Sequence, residues 1–156
     1  MIGKEVLKEV EEVVRSQSLF RFYGPDPKHK TDAFEAEYAK YVGTKHALAV
    51  SSGTAAVHEG VAACGIGPGE EVIVPPVTFI ANITPVLLCG GVPVFADVEY
   101  DTLNLDPESV RAAVTPRTKA VLPVHLLGFP ADMTRLGEVA EEKDLYLIED
   151  LSLIHI

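Results

Sequence analysis

The chain has 156 residues, 47% apolar and 23% charged, with 23 acidic against 13 basic side chains and a formal net charge of −10. That size and balance describe one ordinary packed domain or a part of a larger one. The acidity, without any Lys/Arg cluster, excludes nucleic acid and anionic membrane as partners, because both reward clustered cations.

The N-terminal run MIGKEVLKEVEEVV is charged and amphipathic, unlike a secretory signal, and points to a cytoplasmic protein. Val6, Leu7, Val10, Val13 and Val14 recur at helical spacing over residues 3–17. SLFRFYGPDPKHK then reads as an irregular arm rich in aromatics, Gly and Pro. TDAFEAEYAKYVG reads as a helix with Thr31 or Asp32 as its N-cap and Gly43 past its end. From there short apolar strands are expected at 46–50, 71–74, 92–95, 119–124 and 145–148. Helical stretches are expected between them, beginning near Thr54, Thr78, Asp106 and Asp132. Strand and helix in alternation imply an α/β fold with right-handed crossovers and a mainly parallel sheet. Val72 to Ala96 carries no charge and superficially suits a membrane span. Pro75, Pro76, Pro85, Pro93, Gly90 and Gly91 cut it into strand, helix and strand, so it reads as buried core. Cys64 and Cys89 lack CxxC spacing and read as two buried thiols in a reducing compartment.

Chemistry is concentrated at strand ends. In Ala49-Val-Ser-Ser-Gly-Thr-Ala-Ala56 a strand is expected to end, and a helix to begin at about Thr54. Free N–H groups and the positive end of the helix dipole there suit a phosphate, although the same residues also make a simple cap and turn. GIGPGEE (65–71) contains a GxG, but it follows a helix and precedes a strand, the reverse of a dinucleotide fingerprint. Asp150, with Glu149 beside it, closes the last strand, where an acid holds a metal, a ribose, a protonated ring nitrogen, or only caps a helix. His125 ends its own strand, in a functional or a purely hydrogen-bonding role. Phe79 follows the Pro75-Pro76-Val-Thr78 turn, where its ring either lies on a planar ligand or joins the core. The five histidines show neither HxxxH nor HxH spacing, so no metal site is expected.

The run FYGPDPKHKTDAFEAEYAKYVGTKHALAVSSGTAAVHEGVAACGIGPGEEVIVPPVTFIANI closely resembles the DegT/DnrJ/EryC1/StrS family of sugar aminotransferases. GGVPVFADVEYDTLNLDPE, TKAVLPVHLLGFPADM and LIED continue the likeness in order, over residues 20 to 150. The resemblance implies fold type I, the aspartate-aminotransferase-like large domain of enzymes that use pyridoxal 5'-phosphate, usually as homodimers. It implies transfer of an amino group from glutamate or glutamine to a keto group on a nucleotide-linked sugar, in polysaccharide, lipopolysaccharide or antibiotic-sugar biosynthesis. Non-catalytic regulatory relatives and sugar dehydratases share the pattern. By match of motif, Gly53, Thr54 and Ala55 would hold the cofactor phosphate and Phe79 would stack on its ring. Asp150 would bond the ring nitrogen, and His125 stands at a position near the cofactor. Leu127 departs from the Tyr common in the family. Phe22 and Tyr23 of the arm would lie near the substrate entrance.

The resemblance also implies a lysine that forms the Schiff base with the cofactor, a few dozen residues beyond the aspartate. Lys4, Lys8, Lys28, Lys30, Lys40, Lys45, Lys119 and Lys143 all lie at positions unlike it, so the chain as written is expected not to catalyse transamination. The likeness stops at Leu151-Ser-Leu-Ile-His-Ile156, which is also the translation of CTG TCT CTT ATA CAC ATC, a transposon adapter end used in preparing sequencing libraries. The expected organisation is therefore an N-terminal helix and arm (1–30), a partial cofactor-binding large domain (31–150), and a non-native tail (151–156).

Overall fold

The computed structural model describes residues 3–151, so most of the 151–156 tail lies outside the described residues. The chain forms two units that divide between Ala49 and Val50.

In the first unit, α1 (Lys4–Ser16) ends at Gln17, a left-handed residue whose N–H donates to the Val14 carbonyl. The second helix, α2 (Lys30–Val42), starts earlier than the Thr31 or Asp32 cap expected from sequence, with His29 at the cap position. Asp32 does not cap because its carboxylate is committed elsewhere. Oδ1 accepts from Arg21 Nη2 at 2.8 Å, and Oδ2 lies 2.9 Å from His29 Nδ1. Gly43 ends α2 as expected, at φ 83° with its N–H on the Ala39 carbonyl. Residues 46–50 do not form the expected strand. A strand needs a neighbour to complete its ladder. Among the described residues none lies beside this one, and the Ala49 N–H is instead taken by Glu35 Oε1 at 2.8 Å.

The second unit is built on a four-stranded sheet of β1 (Glu71–Val74), β2 (Val92–Phe95), β3 (Thr118–Val121) and β4 (Tyr146–Leu147), all parallel, in the order β2-β1-β3-β4. Its helices are α3 (Gly53–Ala63), α4 (Thr84–Leu88), α5 (Pro107–Ala113) and α6 (Met133–Lys143). Ser52, Asp106 and Asp132 cap α3, α5 and α6, each side chain accepting from a first-turn N–H. Strand alternation sends Val72, Val74, Ala120, Leu122 and Val124 into one core with Val57 and Val61 of α3 and Val86 of α4. Ile73 and Val121 enter a second core with Val110 of α5 and with Leu136 and Val139 of α6. Both faces of the central strands β1 and β3 are therefore covered, as parallel sheets require, while the edge strands β2 and β4 stay partly exposed.

The uncharged stretch 72–96 is strand, short helices and strand, and no helix of the described residues is long and apolar enough to cross a membrane. The helix expected near Thr78 is split. Phe79 is extended and precedes a 3-10 turn (Ile80–Asn82), and α4 begins only at Thr84, which keeps Pro85 in a first turn where no N–H is needed. At Gly91 an added Cβ would lie 2.6 Å from Ile66 Cγ2, so only glycine lets the chain enter β2 against that core. Cys64 and Cys89 are half-buried free thiols that pack against the first core, less enclosed than expected.

Candidate functional site

Because all four strands run the same way, their C-terminal ends share one edge of the sheet. The order β2-β1-β3-β4 means that the chain leaves β1 toward one side and β3 toward the other. That reversal opens a crevice at the C-terminal edge, where α/β proteins place ligands. Phe79, His125 and Asp150 all follow strand ends on this edge.

Asp150 is held there by its backbone. It bridges to Val124 in parallel register, its N–H donates to the Pro123 carbonyl and its own carbonyl accepts from the His125 N–H, both at 3.0 Å. Asp150 is 5% exposed. A cleft of about 290 Å³ runs from Ile148–Leu151 to the first turns of α3, with Gly53, Ala56 and Val57 on its other wall. Gly60 lets α3 approach closely, since a Cβ there would be 3.2 Å from Ile148 Cγ2. Gly53 and Asp150 are thus brought to one cleft, whereas Thr54, Ala55, Phe79 and His125 are not part of its lining.

Gly53 and Thr54 lie in the first turn of α3, whose N–H groups have no intrahelical acceptor. The Ala55 N–H is already served by Ser52 Oγ at 3.1 Å. Phe79 is 61% exposed and is not a core residue.

His125 is buried with both ring nitrogens engaged. Nδ1 accepts from the Ala131 N–H at 3.1 Å, so the proton sits on Nε2, which donates to Glu149 Oε2 at 3.1 Å. Ala131 belongs to the α5–α6 core and Val124, paired with Asp150, to the α3–α4 core. By strand alternation His125 therefore faces away from the Asp150 side chain, and its geometry is that of a support behind the site. The turn after it is fixed by Asn104, whose Nδ2 donates to the Phe129 carbonyl and whose Oδ1 accepts from the Leu126 N–H. Within that turn Leu127 is exposed and left-handed, at φ 53°.

Sequence reasoning passed over Glu149 as the partner of His125, and Asn104 and Asn82 altogether. The first two act across 22 to 25 residues, and no local pattern marks them. Asn82 carried a usable signal, standing four residues after Thr78, to whose hydroxyl it donates. Its Oδ1 is buried, with no hydrogen-bond partner among the described residues. Among the described residues, no group of three or more His, Cys, Asp or Glu side chains is placed to hold a metal ion.

A model of the family described as the DegT/DnrJ/EryC1/StrS aminotransferase family matches residues 1–153. The chain is 47% identical over 150 residues to the spore coat polysaccharide biosynthesis protein SpsC of Bacillus subtilis (strain 168), covering 96% of this chain and 37% of that protein. It is 48% identical over 122 residues to L-glutamine:2-deoxy-scyllo-inosose aminotransferase of Streptomyces kanamyceticus, covering 78% of this chain and 29% of that one. The solved aminotransferase from Psychrobacter cryohalolentis is similar with a TM-score of 0.88 at 38% identity, over 96% of this chain and 37% of that chain. Other solved structures similar to this chain are forms with pyridoxal or pyridoxamine phosphate. The chain thus spans between 29% and 37% of the length of these relatives.

Proposed function

The chain belongs to the DegT/DnrJ/EryC1/StrS aminotransferase family, and from that membership we propose that it carries the cofactor-binding part of a sugar aminotransferase. Its α/β architecture is that of fold type I, and the family depends on pyridoxal 5'-phosphate. The proposed reaction moves an amino group from glutamate or glutamine to a keto group on a nucleotide-linked sugar, in a cytoplasmic homodimer. The names of the relatives support this class: one serves polysaccharide biosynthesis, and another aminates a cyclitol ketone from L-glutamine.

The observation that carries the proposal is the cleft shared by Gly53 and Asp150. The residues fit the cofactor, because a helix start with free N–H groups and the buried Asp150 line a single space. The Gly53 and Thr54 N–H groups and the Thr54 hydroxyl would receive the phosphate, with Ala55 keeping the turn small. Asp150 would hold a proton at the ring nitrogen, and the Phe79 ring would cover one face of the pyridine. His125, neutral and fixed in one tautomer, would steady Glu149 behind the site. When bound, the cofactor supplies an electron sink for the carbanion left as the substrate loses a proton. Among the described residues no lysine lines the cleft, so the 156-residue chain is expected to bind the cofactor without turnover.

The test is a titration of the chain with pyridoxal phosphate in phosphate-free buffer, followed by cofactor absorbance. Saturable binding is expected, weakened by inorganic phosphate and reduced about tenfold or more by Asp150→Asn, the loss of one charge-assisted hydrogen bond. A response equally strong in Asp150→Asn, or no saturation at all, would sink the proposal.

A further inference from the structure

We infer that Asn82 is a positioning residue that fixes how Phe79 is presented at the C-terminal edge of the sheet, an inference that rests on the cofactor site proposed above. The chain leaves β1 through Pro75–Thr78 and reaches Phe79 in an extended conformation, φ −79° and ψ 144°. Phe79 is 61% exposed, so its presentation depends on how the extended backbone around it is held. Asn82 supplies the restraint from within. Its Nδ2 donates to Thr78 Oγ1 at 2.6 Å, and its backbone N–H donates to the Phe79 carbonyl at 3.1 Å. One buried residue, 1% exposed, therefore holds the Thr78 side chain before Phe79 through its amide and the Phe79 carbonyl through its backbone N–H.

Among the described residues Oδ1 accepts from no donor, so the one side-chain bond of this amide is the one to Thr78. An apolar side chain of similar volume would fill the same space with no unpaired acceptor, so general packing gives no reason for an amide here. What the amide adds over leucine is the bond to Thr78. Fixing an aromatic surface before a planar ligand arrives reduces the ordering cost of binding, the usual gain from preorganisation.

The experiment is a double-mutant cycle on pyridoxal phosphate affinity, using Asn82→Leu and Phe79→Ala singly and together, with melting curves and amide hydrogen exchange of each variant. Asn82→Leu is expected to weaken binding about fivefold or more when Phe79 is present, and less than about twofold in the Phe79→Ala background, as coupled neighbours behave. Exchange at the Asn82 and Ile83 amides is expected to rise in Asn82→Leu while the melting temperature holds. Asn82→Ser, which keeps a hydroxyl in place of the amide, is expected to recover part of the affinity. Equal losses in both backgrounds would overturn the inference, as would unchanged exchange at residues 82 and 83. If the unsubstituted chain fails to bind the cofactor, the cofactor reading falls and takes the inference with it. If it binds and the cycle is additive, only the inference falls.

Discussion

Residues 3–49 and 50–151 are held together by different forces. In the later unit β1 is buried along its whole length, and two apolar cores close on opposite faces of the sheet. In the earlier unit Ala39 is the one buried hydrophobic among the described residues, while Val6, Leu7, Val10 and Val14 of α1 and Phe34, Tyr38 and Tyr41 of α2 are exposed. Charged pairs link α1, the arm and α2. Arg21 grips Glu35 with two nitrogens and Asp32 with two more bonds, and Lys30 reaches Glu9 at 2.6 Å and Glu12 at 3.0 Å. In the aromatic arm the Phe20 and Tyr23 rings lie 4.5 Å apart. The contrast teaches that an apolar pattern in sequence marks a face to be covered, not one that is covered. Helical spacing in α1 and strand alternation in β1 carry the same message, yet among the described residues only the β1 side chains are buried.

The sharpest way to break the contrast is Ile73→Ala. Ile73 is fully buried at the centre of β1, and its truncation is expected to cost about 2–5 kcal/mol, a large part of a typical domain's stability. Urea denaturation with hydrogen exchange should show the loss across residues 50–151 and leave the α1 and α2 amides unchanged. Equal loss in both units would show that they melt as one.

A smaller effect concerns acid. The Thr115 hydroxyl and the Arg117 guanidinium hold the Glu71 carboxyl below its usual range. A carboxyl lowered in the folded state adds stability that is present above its ordinary value, about 4.3, and is lost as pH falls through the folded value. The sheet unit should therefore weaken below about pH 4, and Glu71→Gln should flatten that dependence in a pH series of urea midpoints. Asp32 is also lowered, by His29 and then Arg21, and Glu35 by Arg21 and then the Ala49 N–H. The first unit should thus lose protection in acid as well, and only the Glu71→Gln comparison assigns the share that belongs to the sheet. An unchanged slope in that variant would remove Glu71 from the account.

The smallest effect sharpens the other side. Arg21→Met should speed exchange of the α2 amides at low salt, and 1 M salt should produce the same change in the unsubstituted chain, because the screening length falls to about 3 Å. Salt-independent exchange in the unsubstituted chain would mean that these exposed pairs hold nothing.

Much of this protein was legible before any coordinates. Asp106 and Asp132 stand where helices begin, α3 starts within a residue of Thr54, β1 and β2 run where apolar residues were bracketed by turn residues, and the motif order identified the family. These signals are local, written in spacings of two to four residues, and the chain obeys them because capping and alternation act over that distance. The tertiary structure alone decided the rest. It denied residues 46–50 a strand because no described neighbour completes a ladder, and it took Asp32 from capping duty because Arg21 and His29 reach it first. It gave His125 a fixed tautomer through Ala131 and Glu149, and it set Gly53 across a cleft from Asp150. Composition and spacing determine which groups a segment offers, whereas which of them meet depends on crossovers that bring together residues far apart in the chain.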